Sequence, residues 1–145
     1  MNDVFEGRLY VGSVDVAGDK DLLVKTGITH IINAAYGVPC LFPDTFEYLP
    51  IPALDRKDYD ISSHISACVG FYEKAISGEC PGKVFVHCTA GVSRSGAIAV
   101  AIVMYSKRIS YDEALLFVKT KRPSIQPNPG FAVQLKTWWL NGMKI

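Results

Sequence analysis

A cysteine and an arginine form a reactive pair when a short loop holds them face to face, and this chain has one such pair. Cys88 and Arg94 are separated by five residues in His87-Cys88-Thr89-Ala90-Gly91-Val92-Ser93-Arg94-Ser95-Gly96. The apolar run from Lys83 to His87 reads as a buried strand that delivers Cys88. A helix is expected from Arg94 onward. The loop interior, Thr89, Ala90, Gly91, Val92 and Ser93, is small, and Gly91 is free to take unusual dihedrals. A loop wrapped in this way can turn successive N–H groups inward as an anion nest. The helix start adds its own free donors and the positive end of its dipole. These surroundings suit a phosphate and a thiolate alike. A free thiol titrates near ~8.5, and helix N-termini and cations lower that value, which makes a nucleophile at neutral pH. Arg94 offers a planar fork that can grip two phosphate oxygens at once. The bland alternatives are a buried structural thiol and a surface cation. A cation at a helix start is poorly placed by dipole logic, so its presence argues for an anionic partner.

A cysteine that attacks phosphorus forms a thiophosphate intermediate. The cycle then needs an acid for the leaving oxygen and an activated water, and one carboxyl group can serve both steps. The segment Ile51-Pro52-Ala53-Leu54-Asp55-Arg56-Lys57-Asp58-Tyr59-Asp60 is a polar loop between a predicted strand and a predicted helix, suited to closing over a site. Asp60 reads as a helix N-cap. Asp55 and Asp58 both remain open for the acid.

The elements that must position these groups follow from periodicity. Arg8–Val11, Thr29–Asn33, Phe46–Ile51 and Lys83–His87 read as strands. Pro50 and Pro52 end the third of them. Asp19–Lys25 reads as a short helix stopped by Gly27. Ile61, Ile65, Val69, Tyr72 and Ile76 recur at helical spacing, with Gly78 after them. Ser95–Tyr105 is apolar on nearly every face, the mark of a central buried helix. Ser110 and Glu113 make a capping box for a helix to Lys121, which Pro123 stops. Asn128 caps the last helix, with Pro129 at its first position. Strands alternating with helices predict an α/β fold, a central mostly parallel twisted sheet flanked by helices. Ligands bind beyond the carboxyl ends of strands in such sheets, where His87 leads into the Cys88 loop.

The 145 residues are expected to form one domain, residues 1–145. With 49% hydrophobic and 20% charged residues the chain is globular rather than disordered. A formal net charge of +1 leaves no global field to select nucleic acid or an anionic membrane, so neither is an expected partner. Cys40, Cys68 and Cys80 read as reduced thiols, and no spacing with His30, His64 or His87 makes a zinc site. Neither a leader nor an acylation pattern is read at Met1-Asn2-Asp3-Val4. The run from Gly96 to Tyr105 is too short to cross a bilayer. The expectation is an intracellular protein of a reducing compartment, the cytoplasm with the nucleus also open.

HCTAGVSRSG resembles the signature loop of the protein tyrosine phosphatase superfamily, H-C-x5-R-[ST]. The wider sequence resembles the small atypical dual-specificity phosphatases over nearly its whole length. Leu9-Tyr10-Val11-Gly12-Ser13, Ile31-Ile32-Asn33-Ala34-Ala35, Ser110-Tyr111-Asp112-Glu113-Ala114, Arg122-Pro123 and Pro127-Asn128-Pro129-Gly130-Phe131 are similar to that group's other landmarks, in the same order. The resemblance implies the phosphatase fold, hydrolysis of phosphorylated protein side chains and no cofactor or metal. It implies Cys88 as nucleophile, Arg94 as phosphate clamp, and Asp55, 33 positions ahead of Cys88, as the acid and then the base. Residues 89–94 would bind the phosphate, and Ser95 would stabilise the departing thiolate. His87 would fix the loop and support a low thiol pKa, and Asn128 would brace the site. No counterpart is present of the long tyrosine-bearing loop of tyrosine-only enzymes, which implies a shallow pocket open to phosphotyrosine and phosphoserine/threonine. Thr89–Ser93 carries no lysine, which counts against a phosphoinositide. An RNA 5′ end or a glycan is a further alternative substrate. A silent phospho-binding module is another reading of the scaffold, but such relatives usually lack the cysteine.

Overall fold

The structure is a computed structural model that describes residues 1–145. Its centre is a five-stranded sheet of β1 (Asn2–Phe5), β2 (Leu9–Gly12), β3 (His30–Asn33), β4 (Glu47–Pro50) and β5 (Val84–His87), in the spatial order β1-β2-β5-β3-β4. The last four run parallel, and β1 is an antiparallel edge strand on β2. Parallel strands buried on both faces are expected to be apolar throughout, and every residue of β5 is buried. Alternate side chains serve opposite faces. Val84 and Val86 join the larger core, while Phe85 joins the smaller one with Leu23, Ile31 and Phe46.

Six helices cover the sheet: α1 (Val14–Ala17), α2 (Lys20–Thr26), α3 (Ile65–Ile76), α4 (Arg94–Lys107), α5 (Tyr111–Lys119) and α6 (Pro129–Leu140). The larger core gathers residues of α3, α4, α5 and α6 on one face, and α2 contributes to the smaller core on the other. This unequal cover accounts for α4, in which every residue from Ser95 to Met104 is buried. Each of its isoleucines contributes roughly 1.5–3 kcal/mol by leaving water. That burial fixes the helix whose first turn carries Arg94 and Ser95.

Most boundaries fall where the sequence places them. Gly27 ends α2 in the left-handed region at φ 91°, the capping box of Ser110 and Glu113 is formed at α5, and the Asn128 carboxamide oxygen accepts the Phe131 N–H at 2.9 Å. In four places the structure differs from these expectations or adds to them. The strand expected at Arg8–Val11 is present as β2, but it is second in the chain, because Glu6 and Gly7 both take positive φ and fold an additional strand, Asn2–Phe5, back onto it. The four-residue α1 has no apolar period long enough to register in sequence. The α5 helix stops at Lys119, short of Lys121. Asp60 does act as a cap, but on a 3-10 turn, Ser62–His64, that precedes α3. Its Oδ1 accepts from the Ser62 hydroxyl at 2.6 Å and from the Ser63 N–H at 3.2 Å.

Candidate active site

The site is built at the carboxyl end of β5, the central strand. Cys88 follows that strand directly and is buried, 2% exposed. From Thr89 to Val92 each backbone carbonyl of the loop accepts a hydrogen bond from outside it. The Thr89 carbonyl accepts from the Val14 N–H at 3.0 Å, and Ala90 accepts from Arg122 Nη2 at 3.4 Å. Gly91 accepts from Arg122 Nε at 3.0 Å, and Val92 accepts from the Gln126 N–H at 2.9 Å. Four successive oxygens held from outside leave the N–H groups to face inward, which is the physical basis of the nest. Gly91 makes the turn possible. It sits at φ 71°, and a Cβ there would come within 2.7 Å of the Gly12 backbone.

Inside the loop lies the Cys88 sulfur. Burial alone would push its thiol up. The Ser95 hydroxyl, 3.2 Å from Sγ, and the backbone N–H groups of Ser95, Val92 and Gly91 act in the opposite direction, and together they hold the thiol below its ordinary value. Ser95 is wholly buried and its hydroxyl aims at the sulfur rather than capping α4, which has no side-chain cap. Arg94 points its fork across the mouth. Nη1 donates to the Ala53 carbonyl at 3.0 Å and Nη2 to Thr89 Oγ1 at 3.0 Å. The guanidinium therefore connects the phosphate-loop segment to the loop that carries the aspartates. Thr89 and Ala90 are exposed at the rim, and Gly91 and Ser93 are buried in the wall beside half-buried Val92.

The three carboxylates have different partners. Asp58 is paired with Arg56 through two bonds, 3.0 Å and 2.9 Å, and both side chains are exposed. Asp60 holds the 3-10 turn. Asp55 accepts from Asn128 Nδ2 at 2.9 Å on Oδ1, which leaves Oδ2 without a protein partner. The Asn128 backbone N–H in turn donates to Ser93 Oγ at 2.9 Å. Asp55, Asn128 and the phosphate loop are thus one hydrogen-bonded chain.

His87 is buried and stacks on Phe85, with ring centroids 5.6 Å apart. Burial holds its imidazole down to about 4, and the contact of Nδ1 with the Cys88 carbonyl at 3.5 Å opposes that only weakly. At neutral pH the ring is therefore uncharged. It can hold the loop by a hydrogen bond but lends no positive charge to the thiolate. This has a consequence for stability. A histidine whose folded pKa is depressed contributes stability that is complete above its unfolded value, near ~6.5, and is lost as pH falls towards about 4. Urea unfolding at pH 7 and pH 4.5 is expected to differ by roughly 2–3 kcal/mol from this group. Asp60, whose carboxyl the Ser62 hydrogen bond holds down, contributes stability that is present above the ordinary carboxylate range and is lost only as pH falls through and below it, so the two windows hardly overlap. His87→Gln should remove the loss between pH 7 and 4.5; an undiminished loss in that variant would place its origin elsewhere.

Sequence reasoning missed the outer ring of the loop. Arg122 was visible only as part of a landmark, yet its guanidinium joins two loop carbonyls to Asn2 Oδ1, at 2.8 Å. Val14, Gln126 and Ala53 act through backbone groups and leave no signal in residue type.

A cysteine in an amide nest, an arginine across it and an aspartate tied to its wall define a cysteine-dependent phosphatase scaffold. The chain belongs to the dual specificity phosphatase family, whose catalytic-domain model matches residues 9–140. Dual specificity protein phosphatase 19 of Mus musculus is 45% identical over 135 residues, covering 93% of this chain and 60% of that protein. Dual specificity protein phosphatase 1B of Arabidopsis thaliana is 35% identical over 94% of this chain and 80% of its own length. The chain spans 34% of dual specificity protein phosphatase 1-B of Xenopus laevis, at 42% identity over 88% of this chain. Among solved structures, DUSP15 matches with a TM-score of 0.90 at 33% identity, covering 99% of this chain and 90% of that one. The human tyrosine phosphatase-like serine/threonine/tyrosine-interacting protein matches with a TM-score of 0.92 at 29% identity, over 99% and 98%. The mixed α/β sheet flanked by helices is the fold of these structures.

Proposed function

We propose that the chain hydrolyses phosphate monoesters on protein tyrosine, serine and threonine side chains through a cysteinyl-phosphate intermediate. The observation that carries this reading is Cys88, with its thiol held below its ordinary value by four donors at the foot of a loop faced by Arg94. Fold alone does not supply an activity, and one of the matched structures is itself named phosphatase-like.

In the first step the Cys88 thiolate attacks phosphorus. The S–P bond forms as the ester P–O bond breaks, and the leaving oxygen takes the proton of Asp55. Arg94 turns its fork from Thr89 and Ala53 onto two phosphate oxygens, and the inward N–H groups hold the rest. In the second step Asp55, now a carboxylate, takes a proton from water. That water's oxygen attacks phosphorus, and the S–P bond breaks to release inorganic phosphate. The Ser95 hydroxyl donates to the departing sulfur and stabilises its charge. Each group returns to its starting state, and no other reactant is consumed. We place the protein in the cytoplasm or nucleus, where this thiol stays reduced, and treat residues 1–145 as a single catalytic domain.

The test is substrate class together with pH. Phosphotyrosine and phosphothreonine peptides are expected to be turned over, and a phosphoinositide and an RNA 5′-phosphate much less. The kcat/KM profile should be bell-shaped with its optimum at roughly pH 5–7, since Cys88 must be ionised and Asp55 protonated. A rate still climbing above about pH 8.5 would mean an ordinary thiol, and preference for the lipid would remove the protein-substrate assignment.

A further inference from the structure

Asp55 lies on a segment, residues 51–61, that belongs to no helix or strand. An acid that must transfer a proton needs a fixed position, so something else has to hold this loop. Its ends are tied down elsewhere: the Ile51 N–H donates to the Asn33 carbonyl at 2.8 Å, the Ala53 carbonyl accepts from Arg94 and from the Tyr36 N–H, Tyr59 Oη meets His64 Nε2 at 2.8 Å, and Ile61 is buried in the larger core. The contacts that reach Asp55 itself and the backbone just beyond it come from α6 and its cap. Asn128, the cap of α6, donates to Asp55 itself. Gly130, in the first turn, lies directly under the Lys57 carbonyl. A Cβ at Gly130 would fall on that oxygen and would also come within 2.6 Å of the Lys57 carbonyl carbon. One turn further on, Gln134 uses both ends of its carboxamide. Nε2 donates to the Tyr59 carbonyl at 2.8 Å, and Oε1 accepts the Ser62 N–H at 3.0 Å. Positions 130 and 134 share one helix face. The adjoining face of α6 is anchored by Phe131 and Leu135, both wholly buried in the larger core. The same helix cap reaches the phosphate loop through Ser93.

We propose that Gly130 and Gln134 are positioning residues for proton transfer at Asp55, and that α6 is the platform that sets the acid loop against the phosphate loop. Gly130 permits the close approach that sets the loop's height, and Gln134 pins its far end. The proposal rests on the reading of Asp55 as acid and base.

Gln134→Met and Gly130→Ala are made in the parent chain and again in Asp55→Asn. Each is assayed with two aryl phosphates, one with a weakly acidic phenol and one with a strongly acidic phenol. In the parent, Gln134→Met should lower kcat/KM for the weakly acidic phenol by about tenfold, the scale of two lost backbone hydrogen bonds. Gly130→Ala should lower it by up to ~100-fold, the scale of a misplaced reacting group. Turnover of the strongly acidic phenol should change little in both. In Asp55→Asn neither variant should cost anything further, because the proton they position is gone. An equal loss with both phenols, no loss with either, or a loss that persists in Asp55→Asn would each overturn the proposal. If Asp55→Asn alone shows no leaving-group dependence, the reading of Asp55 fails and the proposal fails with it. That outcome is distinguishable because it appears without either α6 variant. Gln134→Met removes no core atom, so the test stands even if Gly130→Ala does not fold.

Discussion

Cys88→Ser is expected to lose turnover by about 10⁴-fold or more, the scale on which covalent enzymes lose a nucleophile. A serine hydroxyl stays protonated at working pH. The N–H groups of Ser95, Val92 and Gly91 that lower the Cys88 thiol have too little effect to ionise it. The four outward carbonyl contacts do not involve the sulfur, so the nest should survive the change. The variant should therefore still bind a phosphopeptide, with an affinity close to that of the parent, and release no phosphate from it. Isothermal titration and a phosphate-release assay on one preparation measure both. Activity within about tenfold of the parent would remove Cys88 from the reaction, and loss of binding together with activity would mean that the loop had collapsed.

Asp55→Asn should slow phosphothreonine and phosphotyrosine peptides by roughly 100-fold or more, the range for lost general acid catalysis. Asparagine keeps the shape and can still meet Asn128, but it carries no proton for the leaving oxygen. A strongly acidic phenol leaves without help, so its ester should lose much less. Asp58→Asn should show neither effect, since its carboxylate is held by Arg56 at the surface. Asp60→Asn should be nearly silent, because asparagine caps as well as aspartate does. Steep leaving-group dependence in Asp58→Asn would instead move the acid to Asp58.

The chemistry was legible in sequence because it lies within one loop. Strand, cysteine, small residues, arginine and helix follow each other without a gap, and local propensity and periodicity read such a stretch well. The acid was less legible. Asp55, Asp58 and Asp60 share one loop, and residue type alone left Asp55 and Asp58 equivalent. They differ by their partners, and the partner of Asp55 is Asn128, 73 positions away. The hairpin of β1 was hidden because its turn uses Glu6 at positive φ, where asparagine or glycine is the usual signal. The outer ring was hidden for another reason. Val14, Gln126 and Ala53 act through backbone groups, which every residue carries, and Arg122 reaches Gly91 across 31 positions. A sequence reading gives the reacting atoms when they are neighbours, whereas the groups that hold them still are set by the fold.

Mass spectrometry of the chain quenched in acid during turnover of a phosphopeptide tests the central claim most directly. The account predicts a fraction of the protein heavier by one phosphoryl group, carried by the peptide that contains Cys88. That fraction should be larger in a variant whose second step is slowed, such as Asp55→Asn with a strongly acidic phenol ester, and absent in Cys88→Ser. Sustained turnover with no phosphoryl group on Cys88 in either case, or with the group on another residue, would contradict it.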